Sequence, residues 1–467
     1  MTHLKTHGEF EDLEASINLN GLGRLTNFDY MFPLELERLP SDPASKVAII
    51  KGLTDLGIEL TKKAEGPESN IPANFTYLGQ FADHDITRTA MRKLEQESID
   101  KPDFGIVDPN QLANIILNER TGTNDIDSLY NTSQITADGH FVLGKLGGEG
   151  GSDTDGHDLP RDPNNFPLIG DTRNDENLVV AQTHVAFLKF HNAVMDKEKV
   201  SSDDAQKIVI QHYQNIILND YLPRIVNPDY IEQALIYGTR FLNTKNRFFM
   251  PLEFSMAAFR LGHSMIRSNY KFNQTFKNAS LTELFAFSSS NPGGPNIPPL
   301  VWKIDWTLFN SNPANQIDTA IVNPLANVPV LNINLASRNL RRGYMFNLPT
   351  GQAVADFVLA DKSLILTDKE IFDSSSLAEK AILNATNFHK KSPLWYYILK
   401  EAEIRGEANK GNRLGPIGTA IVAEVFIASI SISKYSILDH KGWKPTLPSA
   451  TPGKFTFDDM LRYSGLL

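Results

Sequence analysis

A chain of 467 residues without a single cysteine has no covalent brace available to it. Its fold must be held by packing, by ions or by a bound group. The same absence removes disulfide frameworks, thiolate zinc sites, iron–sulfur clusters, cysteine nucleophiles and thioether-attached prosthetic groups. Lys and Arg number 45 against 55 Asp and Glu, a formal charge of −10. With that balance and no long basic run, nucleic acid is not an expected partner. No apolar run is long enough for a membrane-spanning helix, and residues 1–16 show no apolar core of a signal peptide. The expectation is a soluble protein, cytoplasmic or exported by a route without a cleavable N-terminal signal.

Helical periodicity dominates residues 177–237, where apolar side chains recur at three- and four-residue steps: Val185, Leu188 and Ala193, then Val209, Tyr213, Ile216 and Ile217. Pro223 is expected to end a long helix there, since proline lacks the N–H that the ladder needs. Residues 420–437 read as a buried helix despite Glu424. A Gly-rich segment, 144–165, and a Pro/Gly-rich one, 291–299, read as surface loops. Strand-like runs are few and short. The expected architecture is mainly α, one domain over 1–467 with long loops and little β, and with 1–27 a poorly ordered extension.

Two tempting motifs fail on spacing. The glycines at 147–151 lack the Gly-Lys-Ser/Thr ending of a phosphate loop. An EF-hand at 153–156 would need a glutamate where Asp162 stands. Four other segments draw notice, each with a bland reading beside the sharp one. Gln80 and His84 share a helical face, with His84 between Asp83 and Asp85; this is either a solvated patch or a tuned base or metal ligand. Gly170-Asp171-Thr172-Arg173, with Glu176 three residues on, is by itself a helix start. Arg260-Leu261-Gly262-His263 is by itself a core histidine, although Gly262 would let a bulky planar group approach the backbone. Arg338-Asn339-Leu340-Arg341-Arg342 is by itself a basic helix end.

In order, these four segments resemble the animal-type haem peroxidase family of the peroxidase–cyclooxygenase superfamily. The likeness runs from about Phe28 to Leu461 and takes in Phe187 to Asn192, Asp220 to Pro223 and Phe455 to Leu461. It implies a single large helical peroxidase domain around haem b. His84 matches the distal histidine, which takes a proton from hydrogen peroxide and returns it to the leaving oxygen. Gln80 matches the glutamine that orders water or halide above the iron, and Arg173 the distal arginine that stabilises developing charge. His263 matches the iron ligand, and Asn339 the residue that accepts the proton of its second nitrogen. Arg260 and Arg342 match partners of the haem propionates. Asp83 and Glu176 match the residues that ester-link the haem. Asn177 stands where myeloperoxidase has a methionine, so that enzyme's sulfonium link is not expected.

A calcium loop is also implied, with Thr121, Thr123, Asp125 and Asp127 as ligands and Asp85 completing the site from the distal helix. The implied function is a peroxidase that oxidises iodide, thiocyanate, bromide or phenols through an oxoferryl intermediate. A fatty-acid dioxygenase of the same superfamily is the runner-up. It is disfavoured because Arg260 stands where the dioxygenases carry their radical-forming tyrosine. A non-catalytic haem-binding or adhesion module is the third reading. The short, cysteine-free form resembles a bacterial member.

Overall fold

The computed structural model describes residues 11–12, 26–91, 99–146, 156–242, 244, 248–288, 299–328, 332–406, 410–440 and 442–467. Helices dominate, and the strands are two to five residues long, set in small pairs and one three-stranded patch. The expectation of a mainly α fold with little β holds. Most of residues 1–27 lie outside the described residues, although Glu11–Asp12 pair in parallel with Ala90 and Met91. The buried apolar core is one cluster running from Phe28 to Tyr463.

Helix α1 (Pro43–Leu60) starts where Asp42 accepts the Ala44 and Ser45 N–H groups at 3.1 and 3.0 Å, with Pro43 in the first turn. It buries Ile49, Ile50, Leu53, Leu56 and Leu60. Gly57 lets it cross a later helix closely, because a Cβ there would strike the backbone of Ser337. Helix α2 (Asn74–Ile86) is buried at every residue except Gln80. A helix so enclosed is a wall of the interior, not a surface element.

Helix α3 (Leu178–Glu198) begins at Asn177, whose side chain accepts the Val180 N–H at 3.0 Å. Helix α4 (Ser202–Ile216) follows, with Ser201 as its cap. The expected stop at Pro223 is corrected here. The ladder loosens into a π turn, Ile217–Tyr221, and helix resumes over Leu222–Ile225. Pro223 sits in the first turn of that resumed segment, where a missing N–H costs little. Asp220, in the π turn, accepts from Phe457 N at 2.9 Å and from Arg224 Nη2 at 2.7 Å, which ties the turn to the C-terminal region.

Helix α5 (Leu335–Met345) packs on α1. Helix α6 (Leu394–Arg405) packs on α7 (Pro416–Ser431). Helix α7 is the buried helix expected at 420–437, but it runs earlier, from Pro416 to Ser431, and every residue from Ile417 to Ile430 is buried. Glu424 is tolerated because it accepts N–H bonds from Arg240, Phe241 and Leu242 and the Tyr230 hydroxyl. The loop expected at 144–165 is also corrected. Residues 147–155 lie outside the described residues, but Gly144 and Lys145 pair antiparallel with Asp158 and His157. Residues 291–298 likewise lie outside the described residues.

Candidate functional site

Between α2 and the segment carrying His263 lies a partly open cavity. One side is bordered by Gly79, Gln80, Asp83, Glu176 and Asn177, the other by Phe259, Gly262 and His263. Apolar side chains, among them Met265, Leu281, Phe285 and Leu325, close the rest. Tyr221 also borders it. The π turn brings its hydroxyl against α2 at Gly79, where a Cβ would collide with that oxygen. Space is open beside Gly262, as expected for a backbone that a planar group can approach.

His84 is fully buried and does not border the open cavity. Its Nδ1 donates to Asn174 Oδ1 at 2.8 Å, and its Nε2 lies 3.9 Å from Glu176 Oε1. Gln80 Nε2 donates to that same Glu176 oxygen. The Gln80–Glu176 pair thus stands between His84 and the cavity. Burial, and then the Arg173 charge, push the His84 pKa down to about 3, so the imidazole is neutral.

Arg173 is not where the sequence placed it. Its guanidinium lies behind α2, at 3.0 and 2.7 Å from the Asp171 carboxylate, 3.2 Å from His84 O and 2.6 Å from Thr87 O. It does not border the cavity. The physical reason is Asp171, a fully buried carboxylate that needs cations, with α2's terminal carbonyls beside it. Burial raises the Asp171 pKa, but Arg173 and Arg120 outweigh it and hold the carboxyl well below the usual range. Arg120, which the sequence reading missed, pairs with Asp171 and also donates to His84 O at 3.1 Å. Asn174 was missed as well. Its Nδ2 meets His184 Nδ1 at 2.9 Å, so His184 continues the His84 network. No spacing rule marks either residue; a buried carboxylate beside a lone arginine was the available hint.

Across the cavity, Asn339 on α5 meets His263 Nδ1 at 2.7 Å. The partner is the expected one, with the amide nitrogen set toward the ring; the amide turned over would present its oxygen. Burial, then Arg260 and Arg342, lower the His263 pKa to about 3. Arg260, Arg338 and Arg342 are buried together. Arg260 donates to Ser255 O at 3.0 Å, and burial lowers its pKa to about 10 even though Asp83 opposes the shift. Burial, then Arg260 and Arg338, push Arg342 well below its usual range. Three cations in mutual repulsion form a cradle for an anionic group. Asp83 borders the cavity from α2, with its carboxylate accepting from Thr87 Oγ1 at 2.9 Å, and burial raises its pKa.

The expected calcium residues come together only in part. Asp85 Oδ1 accepts the Asp127 N–H at 2.7 Å, Thr121 Oγ1 donates to Asp127 Oδ2 at 2.8 Å, and Thr121 and Thr123 hydroxyls touch at 2.7 Å. Asp125 bonds Thr123 and also reaches Ser433 and, at 3.4 Å, Gln214. Asp85 Oδ2 is buried with no partner. Burial and the neighbouring Asp127 and Asp125 raise the Asp85 pKa well above normal. Among the described residues no three acidic or histidine side chains converge closely enough to hold a metal ion by themselves. An ion here needs the hydroxyl and carbonyl oxygens too.

Among the described residues no helix is long and apolar enough to cross a membrane. The model of the family described as animal haem peroxidase matches residues 55–350. Mouse (Mus musculus) thyroid peroxidase is 27% identical over 281 residues, covering 55% of this chain and 29% of that protein. The chain spans between 16% and 29% of the length of the curated relatives it matches first. The fold is similar to peroxidase A of Dictyostelium discoideum, with a TM-score of 0.60 at 16% identity over 94% of this chain and 93% of that one. It is equally similar to the fatty acid alpha-dioxygenase of Arabidopsis thaliana, with a TM-score of 0.60 at 13% identity over 96% and 77%. These relatives are animal, amoebal and plant proteins, and they lend no support to the bacterial source expected from chain form. With the family model matching well over half of the chain around a cavity walled by Gln80, Asp83 and Glu176 on one side and His263 on the other, the chain belongs to the animal haem peroxidase family.

Proposed function

We propose that this chain is a haem-dependent peroxidase that uses hydrogen peroxide to oxidise small donors, namely iodide, thiocyanate, bromide or phenols, within one domain spanning the chain. The observation that carries this is the cavity itself, with a histidine on one wall, a second histidine just behind the other, and buried arginines beside His263. The residues present fit haem b: space is open beside Gly262, apolar side chains border the cavity, and buried Arg260 and Arg342 lie near His263. Haem b, when bound, supplies the two-electron redox chemistry.

The chain's own residues do the rest. His263 would ligate the iron through Nε2. That leaves the proton on Nδ1, and the Asn339 amide then turns over to present its oxygen. Arg260 and Arg342 would pair with the propionates. His84, neutral and hydrogen-bonded at Nδ1, would take a proton from peroxide at Nε2 and return it to the departing oxygen. Gln80 would order water or halide on the same wall. Arg173 acts from behind α2 as a fixed positive potential. Asp83 and Glu176, which both border the cavity, would be the residues ester-linked to haem methyl groups. Calcium would be held by Asp85, Thr121, Thr123, Asp125 and Asp127, whose crowded carboxylates and unsatisfied Asp85 Oδ2 suit a hard cation.

The test is the absorbance of purified protein with and without peroxide, followed by iodide or guaiacol turnover. A Soret band that shifts with peroxide and returns with donor is expected; haem-replete protein without turnover overturns the reading. Acid extraction separates esters from free haem. The dioxygenase reading draws on the similarity to the Arabidopsis enzyme and on the apolar part of the cavity. Against it, Arg260 occupies the tyrosine position and is buried and bonded to Ser255 O. Peroxide-independent oxygen uptake with a fatty acid would favour it.

A further inference from the structure

Two asparagines stand opposite two distal residues. Gln80 and His84 lie one turn apart on α2, and Asn174 and Asn177 lie one turn apart on the segment entering α3. For Asn177 the direction of each bond follows from chemistry. Asn177 Oδ1 accepts the Val180 N–H at 3.0 Å, and a backbone N–H can only donate. Its Nδ2 is left to donate to Gln80 Oε1 at 3.1 Å. Gln80 is then left with Nε2, which donates to a carboxylate oxygen of Glu176. The orientation of this whole chain is inherited from the first turn of α3. Asn174 does the same for the neighbouring pair. Its Oδ1 accepts from His84 Nδ1 at 2.8 Å while its Nδ2 is engaged by His184 Nδ1 at 2.9 Å, and all three side chains are fully buried. With the Asn174 amide oxygen toward His84, the ring carries its proton on Nδ1 and its lone pair on Nε2, the nitrogen facing Glu176.

We propose that Asn174 and Asn177 are positioning residues of the distal wall. Asn174 fixes the tautomer and ring plane of His84, and Asn177 fixes Gln80 and, through it, Glu176. The proposal rests on the peroxidase reading for its consequence in turnover but not for its geometry. Neither residue touches the reacting atoms; each acts through the side chain it holds.

The variants are chosen to separate positioning from stability. Asn177→Ser keeps a cap acceptor for Val180 N but loses the donor to Gln80. Asn174→Asp keeps the acceptor for His84, whereas Asn174→Ala loses it. In the haem-free full chain, ¹⁵N NMR of the histidine rings should show the Nδ1–H tautomer for His84, lost in Asn174→Ala and kept in Asn174→Asp. In haem-loaded protein, Asn174→Ala should slow the single-turnover peroxide step and weaken cyanide binding by between about tenfold and a hundredfold, with rescue by Asn174→Asp. Asn177→Ser should weaken cyanide binding with its melting temperature unchanged. An Nε2–H tautomer for His84 in the unmodified chain overturns the proposal, whether or not any variant folds. So does a variant pair that lowers melting temperature alone and leaves tautomer and cyanide binding as they were. If the unmodified chain shows no peroxide response, the peroxidase reading falls, and the tautomer measurement still decides this one.

Discussion

The two walls of the cavity are built on opposite electrostatic plans. On the distal side the buried arginines sit on carboxylates: Asp171 lies between Arg120 and Arg173, and Arg161 pairs with Asp175 at 2.6 and 2.8 Å, while Asn174 joins His84 to His184. On the proximal side His263 holds Asn339, while Arg260, Arg338 and Arg342 crowd together and depress one another. A wall whose arginines already hold carboxylates is formed in advance. A wall where three buried arginines lie close enough to lower one another's pKa favours an added anion. The first is a place for proton chemistry, the second a place for holding a cofactor.

The comparison breaks most readily at His263. His263→Ala should abolish stoichiometric haem binding, read as loss of the Soret band after reconstitution; a band of native intensity and position would show that the proximal wall holds haem without it. Next in size, His84→Leu should leave haem content intact and slow the peroxide step by roughly 10²–10⁴-fold, the usual worth of a positioned acid–base group. Stopped-flow absorbance checks it, and an unchanged rate would place the base elsewhere. Third, Asp171→Asn should destabilise the chain by about 3–5 kcal/mol in urea unfolding, because two buried arginines lose their shared carboxylate. A negligible change would mean that the distal wall is not charge-balanced through Asp171.

The smallest expected effect is a pH dependence that should be absent. His84 has a folded pKa of about 3 against an ordinary 6.5, so its neutral form persists through the acidic range. The peroxide step should therefore stay level from pH 7 to about 5. A midpoint near 6 would show that His84 is not held as the structure places it. The sign for stability follows. A depressed folded pKa means that the unfolded chain binds more protons between these values, so the contribution of His84 is present above about 6.5 and is lost as pH falls toward about 3.

Much of this site was legible in the sequence because its parts are local. Gln80 and His84 share a helical face by spacing alone, and the helical character of residues 177–237 follows from periodicity. The departures have local causes too. Pro223 does not end a helix because a π turn precedes it and lets proline open a new segment. The buried helix expected at 420–437 starts at Pro416 because proline is well suited to a first turn, and an apolar count does not locate that start.

The order of residue types along the chain determined that a cysteine-free, largely helical protein would carry His84, Arg173, His263 and Asn339 in one family's arrangement. The tertiary structure alone decided which partners they take. Arg120 reaches Asp171 across 51 residues, Asn339 reaches His263 across 76, and Asn174 reaches His84 across 90. Burial makes each such pairing obligatory, since an unmatched charge or amide in the interior is costly. Which pairing satisfies that demand depends on how closely α2, α5 and the entry to α3 approach one another. That approach placed Arg173 behind the distal helix instead of in the cavity.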